Sequence, residues 1–135
     1  MNSSMLTNEQ AALDLLGVPD CALFLDFDGT LVDIAPRPDQ VVVTPELLAS
    51  LAALQQRLGG RLAIVSGRPV AELDRLLAPL VLPAAGVHGM ERRGLDGVLR
   101  LLPAPDFPAA RTQAHALAAR HPGLWVEEKH GALAL

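Results

Sequence analysis

Two carboxylates stand two residues apart in "DFDGT": Asp26 and Asp28 flank Phe27, directly after the apolar run at 21–25. On an extended strand, positions i and i+2 share a side, so the two acids converge where the strand would leave its sheet. Like charges that close repel unless a cation or a shared proton relieves them. Two hard oxygen ligands suit Mg²⁺, which keeps several waters and is often completed by substrate phosphate. Gly29 permits a sharp turn, and Thr30 brings a hydroxyl and an amide to the same point. Surface acids closing a strand end are the plain alternative. A calcium loop fails: counted from Asp26, Leu31 stands where glycine is needed and Arg37 where glutamate is needed. Phosphoryl transfer through an aspartyl intermediate fits the pair. A carboxylate nucleophile divides one hard displacement into two easier ones, and a second carboxyl moves the proton.

Further candidates end other apolar runs. "RLAIVSGR" delivers Ser66, Gly67 and Arg68, and "GVHG" delivers His88 and Gly89. Ser66 could instead be a helix-start residue ahead of Pro69, Arg68 a surface guanidinium, and His88 a structural histidine. In "VEEKHG", Glu127 and Lys129 share one strand face and Glu128 takes the other. As bare hairpin charges they would be unremarkable.

The elements that must carry these residues follow from pattern. "TNEQAALDLLG" has Thr7 and Gln10 at capping-box spacing and predicts a short helix ending at Gly17. "CALFLDF" predicts a buried strand and "IAPRPDQ" a loop. "TPELLASLAALQQRLGG" predicts a helix with Thr44 as N-cap, Pro45 at the first position, a face of Leu47, Leu48, Leu51, Leu54 and Leu58, and a stop at Gly59. "RLAIVSGR" predicts a second strand, the segment from Pro69 a second helix, and "LPAAGVHG" a third strand. Alternating strands and helices predict a parallel α/β sheet with right-handed crossovers. Beyond Gly89 the rhythm changes. A hairpin is expected about Leu95-Asp96-Gly97, then a helix capped by Asp106 and ending near His121 and Pro122, then two strands around a turn at 129–131.

Composition excludes several classes. The 135 residues are 50% apolar and 19% charged, enough for a packed core and too apolar for disorder. A net charge of -4, with ten scattered arginines and one lysine, gives no case for nucleic acid. Cys21 is the single cysteine, so no internal disulfide forms and a reducing compartment is expected. No Lys or Arg precedes Arg37, which argues against a secretory signal, and no apolar stretch approaches the roughly 18 residues of a membrane helix. A cytoplasmic protein is the expectation.

The motifs carry a resemblance. "FLDFDGTLV" resembles the first motif of the haloacid-dehalogenase-like phosphatases, and "IVSGR" resembles their second. "DFDGTL", "RPDQVVV", "SGRPVAELD" and "GVHGMERR", in this order, are similar to the trehalose-6-phosphate phosphatases, over a stretch from about Cys21 to Leu135. The resemblance implies a Rossmann-like parallel α/β core, incomplete here, followed by the start of an α+β cap. Residues 1–20 would be a helix and lead-in, 21–100 a partial core and 101–135 a partial cap. It implies Mg²⁺-dependent hydrolysis of trehalose 6-phosphate to trehalose and phosphate. Asp26 would be nucleophile and metal ligand, and Asp28 the general acid, then base, and a second metal ligand. The Phe27 ring would pack in the core with its carbonyl toward the metal. Thr30, Ser66, Gly67, Arg68, His88 and Gly89 would bind substrate from the rim, and Glu127 and Lys129 would contact the sugar from a mobile cap. Another sugar phosphate, or a phosphate-binding module without catalysis, remains an alternative. The resembled proteins continue through two further core strands bearing a lysine and an acidic pair. The chain therefore reads as an N-terminal portion, expected to be inactive by itself.

Overall fold

The structure is a computed structural model and describes residues 21–135; the helix expected over 7–17 lies outside them. Strand β1 (Leu23–Asp26) pairs in parallel with β2 (Leu62–Val65), which pairs in parallel with β3 (Ala84–Gly86). The crossovers are α1 (Pro45–Arg57) and α2 (Val70–Leu77). The register sets Asp26 beside Val65, and the Ser66 amide donates to the Ala85 carbonyl at 2.9 Å. The carboxyl ends of all three strands therefore form one rim, the edge where open α/β sheets bind ligands.

Helix α1 begins as its sequence dictates. The Thr44 hydroxyl accepts from the Leu47 amide at 3.2 Å, and Pro45 supplies the fixed φ of a first turn. Gly59 and Gly60, at φ +57° and +84°, take the chain off the helix in conformations that side chains resist. Leu51 and Leu58 are buried against Leu62 and Ile64 of β2, with Leu47, Leu48 and Leu54 packed alongside. Each such leucine contributes roughly 2 kcal/mol over an exposed one. Helix α2 buries Val70, Leu73 and Leu77 on one face. On the opposite face of the sheet, Phe24 and Val65 are exposed.

The expected hairpin, β4 (Glu91–Arg93) and β5 (Leu99–Leu101), adds antiparallel to β3. The sheet thus has the order β1-β2-β3-β4-β5, parallel for three strands and antiparallel beyond. Arg93 fastens β4 to α2 through both oxygens of Asp74, at 2.7 and 2.5 Å. Helix α3 (Pro108–Ala118) and the antiparallel pair β6 (Glu127–Lys129) and β7 (Ala132–Ala134) follow.

Three details differ from expectation. Asp106 does not cap α3: Pro108 occupies the first helical position, which makes Phe107 the N-cap, and Asp106 reaches only Arg111 at 3.5 Å. The last turn is tighter than 129–131, because Lys129 already pairs with Ala132, leaving His130 and Gly131 (φ +67°) to reverse the chain. Within the expected loop, Pro38–Gln40 forms a 3-10 turn.

Candidate active site

Beyond β1 the chain folds into a tight turn. The Phe27 carbonyl accepts from the Leu31 amide at 3.0 Å and the Val32 amide at 3.2 Å, and the Gly29 amide donates to the Val32 carbonyl at 2.8 Å. Gly29 sits at φ +83°, which a side chain resists. The Phe27 ring is buried as expected, and its carbonyl, expected toward a metal, accepts the amides that close this turn. The same turn brings Thr30 back over Asp26, where the hydroxyl donates to Oδ2 at 3.2 Å. Asp26 is exposed on the rim, and its Oδ1 makes no hydrogen bond among the described residues.

Asp28 is held differently. Arg68 grips it sideways, with Nη2 2.8 Å from Oδ1 and Nε 2.9 Å from Oδ2. Arg68 Nη1 donates to Glu72 and, at 3.0 Å, to the Pro38 carbonyl. The guanidinium carbon lies 5.7 Å from the Phe27 ring centroid, within cation–π range. Arg68 is only 6% exposed, so its charge must be compensated internally, and two carboxylates do so. Hydrogen bonding to Asp28 holds the guanidinium above its usual pKa, against the opposing pull of burial, with Glu72 adding to the rise.

The turn after β2 is fixed from several directions. Ser66 is buried, and its hydroxyl accepts from the Arg68 amide at 3.1 Å, which leaves its own proton to donate. The Arg68 carbonyl accepts from the Val87 amide at 3.1 Å. This approach explains Gly86: a Cβ there would come within 2.7 Å of the Arg68 carbonyl and 2.9 Å of the Val70 amide. Val87 and His88 take φ of +47° and +53°, a conformation a β-branched residue adopts only when its surroundings enforce it. The His88 ring then lies over Gly67, where a Cβ would stand 3.1 Å from Cε1. Gly89 completes this rim turn at φ +89°.

The β6–β7 hairpin reaches the same turn. Lys129 Nζ donates to the Gly67 carbonyl at 3.4 Å and pairs with Glu127 at 3.2 Å. Glu128 points the other way, to Arg111 and His115 of α3, each at 2.9 Å. Hydrogen bonds from His115, then Arg111, hold its carboxyl below the ordinary range.

Asp26, Asp28, Thr30, Ser66, Gly67, Arg68, His88 and Gly89 therefore gather on one rim, with Lys129 touching it. Sequence reading missed three neighbours. Glu72 carries Arg68 and was signalled only by its i+4 spacing. Glu91 Oε2 accepts from the Val70 amide at 2.7 Å and caps α2 from another strand, which no local pattern announces. Trp125, the only tryptophan, lines a cleft beside Glu72.

The donor set suits magnesium in kind. Asp26 offers an exposed carboxylate, a hard oxygen ligand. The Asp28 carboxylate is engaged on both oxygens by Arg68, which leaves it less free to coordinate than Asp26 in this arrangement. No group of three acidic, histidine or cysteine side chains positioned for a metal occurs among the described residues. Nor is any described helix long and apolar enough to cross a membrane.

Comparison with known proteins agrees with this architecture. The Trehalose-phosphatase family model matches residues 24–135. A probable trehalose-phosphate phosphatase of Sinorhizobium fredii is 46% identical over 114 residues, covering 84% of this chain and 43% of the relative. The trehalose-6-phosphate phosphatase of Escherichia coli is 45% identical over 116 residues, covering 84% and 44%. Among solved structures, the C-terminal domain of a C. albicans trehalose-6-phosphate phosphatase superposes with a TM-score of 0.75 at 23% identity, over 93% of this chain and 46% of that one. The chain spans less than half the length of the curated relatives it matches.

Proposed function

The chain belongs to the trehalose-phosphatase family, and from that premise we propose that it carries the nucleophile and the acid–base carboxyl of a magnesium-dependent hydrolase of trehalose 6-phosphate. The observation that carries this reading is the contrast between its two carboxylates. Asp26 is exposed on the rim with Oδ1 unengaged, whereas Asp28 is locked by a buried arginine.

Asp26 Oδ1 attacks phosphorus, forming an O–P bond as the bond from phosphorus to the sugar oxygen breaks. Asp28, which enters this step protonated, passes that proton to the departing oxygen, giving trehalose and leaving the carboxylate that Arg68 holds. Asp28 then takes a proton from water while the water oxygen attacks phosphorus, breaking the Asp26 O–P bond and releasing phosphate. The Thr30 hydroxyl, bonded to Asp26 Oδ2, aims Oδ1 at the substrate. Ser66 Oγ already accepts from the Arg68 amide and donates its remaining proton to a phosphoryl oxygen. Arg68 fixes the orientation of Asp28, and positioning of this kind supplies much of the catalytic advantage in such transfers. Gly67, His88 and Gly89 shape the phosphate rim, and Glu127 and Lys129 meet the sugar. Magnesium, when bound, would neutralise phosphoryl charge, and Asp26 is the residue here that would hold it. The single, unpaired Cys21 supports a reducing, cytoplasmic setting.

Steady-state phosphate release from trehalose 6-phosphate tests the reading in the complete protein. Asp26→Asn keeps the shape of the side chain and should abolish turnover; turnover at the unsubstituted rate, with deamidation excluded, would sink the assignment.

A further inference from the structure

A second cleft opens beside the carboxylates. It encloses about 470 Å³ and is lined by Arg37, Pro38, Asp39, Glu72 and Trp125. Its floor is tied to the acid–base carboxyl, because Glu72 and the Pro38 carbonyl both bind the guanidinium that grips Asp28. Its wall is Trp125, 65% exposed. Such a volume lies in the range of small-molecule sites.

The lining selects a ligand class. An exposed indole offers a flat apolar face, which pairs with a ligand that is apolar on one side and polar at its edge. Arg37 and Asp39 pair at 3.2 Å while about two-thirds exposed, at 69% and 67%. Such an ion pair is held weakly in water and exchanges readily for other partners. Glu72 uses Oε1 on Arg68, and its Oε2 makes no hydrogen bond among the described residues. Two carboxylates against one arginine disfavour an anion. They suit a neutral ring rimmed with hydroxyls, since carboxylates accept from hydroxyls and a guanidinium donates to them.

We propose that this cleft is a sugar subsite: Trp125 stacks against a hexose ring while Arg37, Asp39 and Glu72 hold its hydroxyls. The proposal rests on the phosphatase reading for the identity of the sugar, a glucose unit of the disaccharide. It adds residues that recognise that sugar from the core, Arg37, Asp39 and Glu72, and from the cap stretch, Trp125. The phosphate end lies on the Asp26 rim, and the Arg68 network joins the two ends.

Trp125 is the only tryptophan among these 135 residues, and the emission missing from Trp125→Phe is its own report on this cleft. The intact protein is titrated with trehalose 6-phosphate, trehalose and inorganic phosphate, with calorimetry of trehalose 6-phosphate in parallel. Both sugars should shift the emission saturably and phosphate should not. Asp39→Asn, which leaves the reporter in place, should weaken the trehalose titration roughly tenfold; by calorimetry Trp125→Ala should do the same and Trp125→Phe should cost less. Calorimetric binding without an emission change, or unchanged trehalose affinity in Trp125→Ala, overturns the subsite and leaves the phosphatase reading intact. Absence of both heat and emission change overturns both. An emission change with trehalose, combined with full turnover in Asp26→Asn, would sink the nucleophile and keep the subsite.

Discussion

Arg68 holds Asp28 across forty residues of sequence, its Nη2 2.8 Å from Oδ1 and its Nε 2.9 Å from Oδ2. This contact joins the turn after β1 to the turn after β2. It gives one carboxylate of the pair a fixed orientation while leaving the other exposed.

Arg68→Ala should therefore act on both stability and chemistry. It leaves two carboxylates, Asp28 and Glu72, without their buried counter-charge. Breaking a buried pair costs about 3–5 kcal/mol, and the lower end applies because the Asp28 side chain is 37% exposed. Arg68→Lys keeps a charge but loses the two-pronged geometry, so it should recover part of the stability and little of the turnover. Urea unfolding followed beside turnover checks this; a midpoint unchanged in Arg68→Ala would contradict it.

Glu91 should prove structural. Its carboxylate satisfies the Val70 amide at 2.7 Å, one of the orphan donors at the start of α2. Glu91→Ala should cost about 1 kcal/mol, the usual loss on removing a helix cap, and Glu91→Gln, which keeps an acceptor, should cost less. Thermal unfolding of the two variants distinguishes them; an equal loss in both would point to the charge and away from the cap.

The contact between α3 and the β6–β7 hairpin should be acid-sensitive. Glu128 has its pKa lowered from the ordinary 4.5 by His115 and Arg111. A lowered folded value means its contribution is fully present above the unfolded pKa and is lost as pH falls through the folded one. Carboxyl NMR should show Glu128 titrating below 4.5 and returning toward it in Arg111→Gln. A titration unmoved by that substitution would remove Arg111 as a cause.

Much of this fold was legible because its signals are local. Thr44, Pro45 and the leucine spacing of α1 fall within one helix, and "DFDGT" follows directly on its strand. The antiparallel hairpin announced its turn through Asp96 and Gly97, although not that it would extend the main sheet. What stayed hidden depends on distant partners. The burial of Arg68 arises from Asp28, Glu72, Pro38 and Phe27 converging in space. The left-handed Val87 is imposed by the turn that Gly86 allows to approach, and a valine suggests nothing of the kind. The amides that the Phe27 carbonyl accepts are likewise set by how the turn closes, which the sequence does not announce.

The most direct test of the central claim, that Asp26 carries the phosphoryl group, is to trap it there. In Asp28→Asn a sugar leaving group lacks its acid. An aryl phosphate, whose phenolate departs without a proton, still completes the first displacement. The second displacement lacks its base, so the covalent product should accumulate. The complete protein bearing this substitution is mixed with p-nitrophenyl phosphate and magnesium, quenched in acid, and its peptides are read by mass spectrometry. The account predicts a phosphoryl group on the peptide containing Asp26, removed by hydroxylamine and absent from Asp26→Asn. Phosphate release at the unsubstituted rate, with no modified Asp26 or with the phosphoryl group on another residue, would contradict it.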